Sequence, residues 1–154
     1  SGTVDLERGA GDDVLDGGEG GDKLRGGSGN DALSGGDGED YLNASHGDDV
    51  LNGGAGNDRL YAGAGSDSIF GGQGADRFVF RAEDLDGSTD TIGDFNAAEG
   101  DVIDLRALNV TLDELTIVDE TDGVSISLKS TTIFIEDTGS NTDLIQTVED
   151  SILI

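Results

Sequence analysis

Aspartate recurs at every ninth residue through the first half of this 154-residue chain. These residues share one place in a repeated segment: Asp13, Asp22, Asp31, Asp40, Asp49, Asp58, Asp67 and Asp76. Carboxylates are hard oxygen ligands, and carboxylates stacked at regular spacing repel one another unless a cation lies between them. The spacing therefore predicts rows of cation sites, provided that the fold stacks the repeats in register.

The aspartates belong to a nonapeptide repeat that runs without a gap from Arg8 to Val79. Each copy has glycine at position four, aspartate at position six and a large apolar residue at position eight. A strict period of this kind indicates a repeat architecture. We predict that positions one to six form a turn and that positions seven to nine form a short strand with position eight inside.

We expect two repeats to form one coil of a right-handed parallel β-roll, an all-β fold of about four coils. Equivalent residues of successive coils then stack about 4.8 Å apart, the spacing of neighbouring strands. One sheet would bury Leu15, Leu33, Leu51 and Ile69, and the other Leu24, Leu42, Leu60 and Phe78. The aspartates would form two ladders, one at each edge of the roll.

The composition narrows the possible partners. The net charge is −26, from 34 acidic and 8 basic residues, and the chain has no cysteine. Such a chain repels nucleic acid, has no disulfide framework and no thiol-ligated zinc site, and has no apolar run long enough for membrane insertion. We expect a monomeric module.

The same composition makes the metal decisive for folding. A chain of low hydrophobicity and high net charge stays disordered unless its carboxylates are neutralised. Calcium fits better than magnesium, because it accepts six to eight oxygens, including backbone carbonyls, in a forgiving geometry. We predict about six or more bound Ca²⁺ ions, and a roll that is unstructured at cytosolic calcium and folds at extracellular calcium.

The motif GGxGxD followed by x-U-x, where U is a large apolar residue, resembles the calcium-binding β-roll of RTX (repeats-in-toxin) proteins. The resemblance implies ligation by the position-six aspartates and by turn carbonyls at positions two and four. These glycines are Gly9, Gly11, Gly18, Gly20, Gly27, Gly29, Gly36, Gly38, Gly54, Gly56, Gly63, Gly65, Gly72 and Gly74. In the fifth repeat, Ala44 and Ser45 replace the paired glycines, which predicts a distorted turn or a weaker site. Arg8 and Ala62 are milder departures at position one.

The following segment is similar to the C-terminal domain of serralysin-type proteases and other type I secreted proteins. The similarity rests on residues 76–80, 90–95 and 100–105. The final residues, 150–154, resemble the acidic-then-apolar tail of an uncleaved secretion signal. The predicted organisation is a leader or degenerate repeat at 1–7, the roll at 8–79 and a capping, secretion-related domain at 80–154. The resemblance implies an extracellular protein and the type I secretion machinery as a partner.

The C-terminal half predicts a small β-rich cap. Thr111 and Glu114 could form a capping box for a short helix. Residues 115–120 and 124–129 alternate as strands around Asp122-Gly123, a hairpin signal, and 131–136 reads as a third strand. The cap is expected to lie against outward-facing Phe70 and Val79. Acids that could complete the last sites are Glu83, Asp84, Asp90, Asp94, Asp101 and Asp104.

Two functions remain open. Catalysis is not expected, because His46 is the single histidine and no nucleophile set accompanies it. The first function is a calcium-triggered folding module at the C-terminus of a larger type I secreted protein, aiding its export and stabilising it. The second is an acidic-polysaccharide (alginate-like) binding module, as in the RTX-bearing modules of mannuronan C5-epimerases. Its residues would lie on one sheet face: Lys23, Arg25, Tyr41, Arg59, Tyr61 and Arg77.

Overall fold

The computed structural model describes residues 2–137 and 151–154. Nearly all of the regular structure in these residues is β-strand. The strands are β1 (Asp5–Glu7), β2 (Val14–Glu19), β3 (Lys23–Ser28), β4 (Ala32–Asp37), β5 (Tyr41–His46), β6 (Val50–Ala55), β7 (Arg59–Ala64), β8 (Ser68–Gln73), β9 (Arg77–Val79), β10 (Thr89–Ile92), β11 (Val102–Asp104), β12 (Thr116–Asp119), β13 (Gly123–Leu128), β14 (Thr131–Glu136) and β15 (Ile152–Leu153). Short 3-10 helices cover Ala82–Asp84, Arg106–Leu108 and Leu112–Glu114.

Successive strands alternate between two sheets, as the 18-residue stacking requires. Sheet A has the order β1-β3-β5-β7-β9-β11-β15, and sheet B has the order β12-β13-β14-β10-β8-β6-β4-β2. Within the roll the pairing is parallel, with Leu15 beside Leu33 and Leu24 beside Leu42. All eight predicted inward residues are at most 2% exposed. The parallel β-roll and its core are therefore confirmed.

The division of each repeat into turn and strand was wrong in one respect. The strands from β2 to β8 are six residues long, and each covers positions seven to nine of one repeat and one to three of the next. The coils pair through the glycine-rich part as well, because Gly18 lies beside Gly36 and Glu19 beside Asp37, while position one is skipped. Only positions four to six form the turn. Stacking on a neighbouring coil overrides the low strand propensity of glycine.

Both sheets continue beyond Val79. Ile92 in β10 pairs with Ile69, and Ile103 in β11 pairs with Phe78, so the chain adds a further coil without the nonapeptide motif. At the other end, β1 pairs with β3. The domain boundaries at 7/8 and 79/80 stay predictions, but the hydrogen-bonded sheets cross both of them.

The predicted hairpin forms and extends sheet B. Strands β12 and β13 pair antiparallel across the Asp122-Gly123 turn, β13 pairs antiparallel with β14, and β14 pairs parallel with β10. Ile133 and Ile135 are buried, whereas Phe134 between them is half-buried. The predicted capping box is present, since the Thr111 N–H donates to Glu114 Oε2 at 2.8 Å, although it precedes only a single 3-10 turn.

The C-terminal segment packs against the last repeat coil. A Cβ on Gly93 would lie 2.5 Å from Phe70 Cε1, so only glycine fits beneath that ring. Val79 is 8% exposed, and the rings of Phe78 and Phe95 lie 6.1 Å apart. The expected contact with Phe70 and Val79 is confirmed.

Part of the proposed secretion tail can be placed. Ile152 and Leu153 pair with Ile103 and Asp104 at the end of sheet A. Asp150, the acidic start of the tail resemblance, lies outside the described residues. In the part of the chain that is described, no helix has the length and apolar character needed to cross a membrane.

Candidate metal centre

The turns place the eight repeat aspartates in two rows. The first edge is formed by turns 20–22, 38–40, 56–58 and 74–76 and carries Asp22, Asp40, Asp58 and Asp76. The second edge is formed by turns 11–13, 29–31, 47–49 and 65–67 and carries Asp13, Asp31, Asp49 and Asp67. Asp13 is half-buried, and the other seven are at most 3% exposed.

One oxygen of each stacked carboxylate is held by the preceding coil. The N–H of Asp22 donates to Asp40 Oδ1 at 2.7 Å, and the N–H of Asp40 donates to Asp58 Oδ1 at 2.8 Å. The second edge repeats the pattern, with Asp31 N–H donating to Asp49 Oδ1 at 2.7 Å. Charge-assisted bonds of this kind orient the carboxylate and link successive coils.

The other oxygen has no hydrogen-bond partner. Among the residues that the structure describes, buried and unpartnered Oδ2 atoms belong to Asp22, Asp31, Asp40, Asp49, Asp58, Asp67, Asp76 and Asp90. A buried carboxylate oxygen without a partner is costly, and such atoms are rare in native proteins unless an ion or water completes them. Their recurrence in every stacked coil indicates a bound cation.

Burial also raises the pKa of these carboxyls. The pKa is raised to about 6 for Asp49, to about 7 for Asp58 and to about 7 for Asp67, mainly because burial disfavours the charged form. Neighbouring aspartates of the same row add to the effect. A divalent cation would reverse it by favouring the ionised form.

Along the first edge, a backbone carbonyl and the free Oδ2 both lie close to the position-one glycine. A Cβ on Gly17 would lie 2.6 Å from Asp22 Oδ2 and 2.6 Å from the carbonyl oxygen of Gly35. The same arrangement joins Gly35 to Asp40 and the Gly53 carbonyl, and joins Gly53 to Asp58 and the Gly71 carbonyl. Each of these glycines therefore leaves a small space beside Oδ2 and the carbonyl oxygen, here called the cradle, which any larger side chain would fill.

Sequence reasoning missed these position-one carbonyls. A signal was present, because position one is glycine in five of the eight repeats, namely Gly17, Gly26, Gly35, Gly53 and Gly71. The predicted position-two glycines lie near the ends of the strands and the position-four glycines lie in the turns, and the carbonyls of both sets face the next coil. A Cβ on Gly36 or Gly38 would meet the carbonyl of Gly18 or Gly20, respectively. Their role as ligands stays a prediction.

The donor set fits calcium. In residues 2–137 and 151–154, no group of three or more His, Cys, Asp or Glu side chains is placed to hold an ion. Any site between two coils must therefore combine one or two aspartate oxygens with main-chain carbonyls. Calcium accepts such all-oxygen shells in irregular geometry.

Two acids beyond the repeats extend the rows. The N–H of Asp67 donates to Asp90 Oδ1 at 3.1 Å, and the N–H of Asp76 donates to Asp101 Oδ1 at 2.9 Å. Asp101 Oδ2 accepts a further bond from Asn96 N–H, whereas Asp90 Oδ2 is buried without a partner. Burial raises the pKa of Asp90 to about 8, so Asp90 is the better candidate for an additional ligand.

The remaining predicted acids have other contacts. Glu83 Oε1 lies 3.9 Å from the Arg81 guanidinium, and Asp84 is buried and accepts a bond from Arg81 N–H. Asp94 accepts bonds from the Gly71 and Gly72 amides. Asp104 pairs with Arg106 and Arg77, which lower its pKa to about 2. Ligation by Glu83 or Asp84 stays a prediction.

The basic residues predicted to bind polysaccharide share the outer face of sheet A. Lys23 Nζ lies 5.7 Å from the Tyr41 ring centroid, and the Tyr41 and Tyr61 rings are 4.9 Å apart. Arg81, which the sequence did not single out, stacks 4.0 Å from the Tyr61 ring centroid.

Some of these bases form ion pairs with acidic side chains, and Arg59 does not form one with a described residue. Arg25 lies 3.4 Å from Glu7, and Arg77 lies 3.1 Å from Asp104. Arg59 lines a groove of about 360 Å³, together with Tyr41, Arg77 and first-edge acids.

Comparisons with known proteins agree with this geometry. The family model for the RTX calcium-binding nonapeptide repeat (4 copies) matches residues 8–42 and 43–78. Among solved structures, the chain is similar to the AlgE6R3 subunit of the Azotobacter vinelandii mannuronan C5-epimerase, determined in solution, with 27% sequence identity. That match covers 96% of this chain and 81% of the subunit, with a TM-score of 0.51.

The chain also matches the crystal structure of the extracellular lipase LipA from Serratia marcescens, with 17% sequence identity and a TM-score of 0.44. That match covers all of this chain and 40% of the lipase. No curated protein sequence matches the chain. The repeat match and the roll itself lead to one assignment: residues 8–78 are RTX calcium-binding repeats folded as a β-roll.

Proposed function

We propose that this chain is a module that folds when it binds calcium and thereby stabilises a larger secreted protein. The row of buried, unpartnered Oδ2 atoms supports this proposal most strongly. The position-six aspartates and the turn carbonyls between successive coils are the proposed ligands. About six or more ions would fill the two edges.

Electrostatic repulsion within the aspartate rows couples folding to calcium binding. Seven repeat carboxylates are almost fully buried in two rows, and a chain of net charge −26 has few bases to offset them. Calcium supplies charge and ligand bonds only in the stacked state, because the unfolded chain does not bring successive turns together. Binding free energy is then folding free energy.

Circular dichroism during a calcium titration tests the proposal. We expect a coil spectrum in chelator at neutral pH and a cooperative rise of strand signal toward millimolar calcium. Magnesium at the same concentration is the control and should produce a much smaller change, because it requires a stricter octahedron. A strand signal that is already complete in chelator would refute the coupling.

Export is the proposed reason for calcium dependence. A chain that is unfolded at cytosolic calcium can pass a narrow type I channel, and it would fold at extracellular calcium. The lack of cysteine suits this route, and the module would serve a secreted parent without being catalytic itself. Fusion of residues 1–154 to a reporter in a type I secreting strain tests export. Equal secretion after deletion of roughly the last 40 residues would contradict a C-terminal signal.

Acidic-polysaccharide binding is a second candidate. It is supported by the Tyr41–Tyr61 pair, by Arg59 without an ion pair among the described residues, and by the groove beside them. The solved structure with 27% identity is a subunit of a mannuronan C5-epimerase. Tyrosine rings offer apolar faces to sugar rings, and an arginine can bind a uronate carboxylate bidentately.

Calorimetry with alginate oligomers in saturating calcium separates the two candidates. If the face binds, Tyr41→Ala combined with Arg59→Ala should abolish the heat. Arg8→Ala, which removes an exposed base outside this face, should leave it unchanged. No heat with the unaltered chain would remove this candidate and leave the folding proposal intact.

A further inference from the structure

We propose that the two edges of the roll bind calcium with different affinities: the first edge is the tight row, and the methyl groups of Ala44 and Ala62 weaken the second. This inference rests on the proposed calcium sites and adds a difference between them. The two edges would therefore fill at different calcium concentrations.

The first edge has glycine at position one in every repeat. These residues are Gly17, Gly35, Gly53 and Gly71, and each lies against the Oδ2 of the aspartate five residues later. In three of them the carbonyl of the next coil approaches the same point. Oδ2 and a carbonyl oxygen can therefore face one ion without an intervening carbon atom.

The second edge is different at the same position. Its position-one residues are Arg8, Gly26, Ala44 and Ala62, followed by Asp13, Asp31, Asp49 and Asp67. Ala44 is fully buried and Ala62 is 2% exposed, so both methyl groups point into the roll. In the glycine repeats, a Cβ placed there would lie closer to Oδ2 than real Cβ atoms come to other atoms. At Ala44 and Ala62 the methyl therefore takes up space that the first edge keeps open beside the carboxylate.

The two methyl groups affect the placement of the calcium ligands on the second edge. A methyl beside Oδ2 must push the carboxylate or the neighbouring carbonyl away, which lengthens ligand distances that calcium holds at about 2.3–2.6 Å. The methyl also supplies no oxygen. Asp49 and Asp67 keep unpartnered, buried Oδ2 atoms, so these sites remain usable but weaker.

Exchanging glycine and alanine at position one tests the inference. Gly35 and Gly53 do not have positive φ, so alanine can adopt their backbone dihedral angles, and its methyl acts on the carboxylate and on the carbonyl of the next coil. The variant Gly35→Ala with Gly53→Ala should weaken the first edge, and Ala44→Gly with Ala62→Gly should strengthen the second. Ala55→Gly with Ala64→Gly is the matched control, because these alanines lie at position three, away from the cradles.

Calorimetry and amide NMR supply the readouts. We expect two classes of sites in the unaltered protein and about tenfold weaker binding in the second class, the difference that a free-energy change of about 1.4 kcal/mol produces. The Ala44→Gly, Ala62→Gly variant should shift its weak class toward the tight one. The Gly35→Ala, Gly53→Ala variant should move two ions from the tight class to the weak one. During stepwise chelation, amides of Gly47 and Gly65 should lose their calcium-loaded shifts before those of Gly38 and Gly56.

The possible results separate this inference from the calcium proposal itself. If the unaltered chain folds with calcium but shows one class of sites, and both exchanges behave like the control, the difference between the edges is refuted. Second-edge amides that respond last would refute it as well. If the unaltered chain neither binds calcium nor changes structure with it, the proposed function fails first.

Discussion

At the scale of single residues, the two oxygens of every repeat aspartate except Asp13 have separate tasks. Oδ1 accepts an N–H of the preceding coil, and Oδ2 is left for the ion. The nonapeptide spacing predicted which residues form the rows. It did not predict this division or the part played by position one, because both depend on the closeness of stacked backbones and not on residue type.

Asp58→Asn separates the two tasks. The amide oxygen can still accept the Asp40 N–H, but the charge that binds calcium is lost, so the calcium midpoint for folding should rise about tenfold. Asp48→Asn is the matched control, since Asp48 is exposed at position five, where other repeats have Asn30 and Asn57 in the same hydrogen-bonding role. Circular dichroism titrations compare the two. Equal midpoints would contradict the assignment of Oδ2.

The raised carboxyl pKa values predict an acid-stabilised roll in the absence of calcium. Burial raises the pKa of Asp58 to about 7 and that of Asp90 to about 8, above the unfolded value of 3.8. The folded state therefore binds more protons, and the stability so gained is lost as pH rises through about 7–8. In chelator, the strand signal should increase between about pH 8 and about pH 5. More structure at the higher pH would contradict the burial of these groups.

At the scale of elements, the fifth repeat keeps the backbone conformation that the other repeats have at position two. Ser45 adopts φ +90°, where six of the seven equivalent glycines lie between +95° and +122°. Ser45→Gly should therefore stabilise the calcium-loaded protein by about 1 kcal/mol, because a left-handed conformation is strained for serine. Ser34→Gly, outside the positive-φ positions, should have the opposite sign. Thermal unfolding in calcium measures both, and destabilisation by both variants would contradict the strain.

The six-residue strands were harder to predict than the core they carry. Leucine at position eight indicates an inward residue whatever the length of the strand. The paired glycines, by contrast, are depleted in ordinary strands, so the sequence alone favours a turn there. Pairing such as Gly36 with Gly54 depends on the neighbouring coil and becomes visible only in the assembled sheet.

At the scale of the whole molecule, the repeats and the C-terminal segment share two continuous sheets. Ile92 and Ile103 cover the last repeat coil, with no nonapeptide motif to announce them. A chain that ends at residue 79 exposes Ile69 and Phe78 at an open end, so it should need more calcium to fold than a chain that ends at residue 137. Calcium titrations of both chains measure this. Identical midpoints would mean that the segment acts independently of the roll.

The positions of the bound ions decide whether the aspartate rows hold calcium between successive coils. A crystal grown in millimolar calcium and measured for anomalous scattering locates them directly. We predict peaks about 2.3–2.6 Å from the Oδ2 atoms of both aspartate rows, between successive coils. An ordered roll whose two rows carry no peaks would contradict the account.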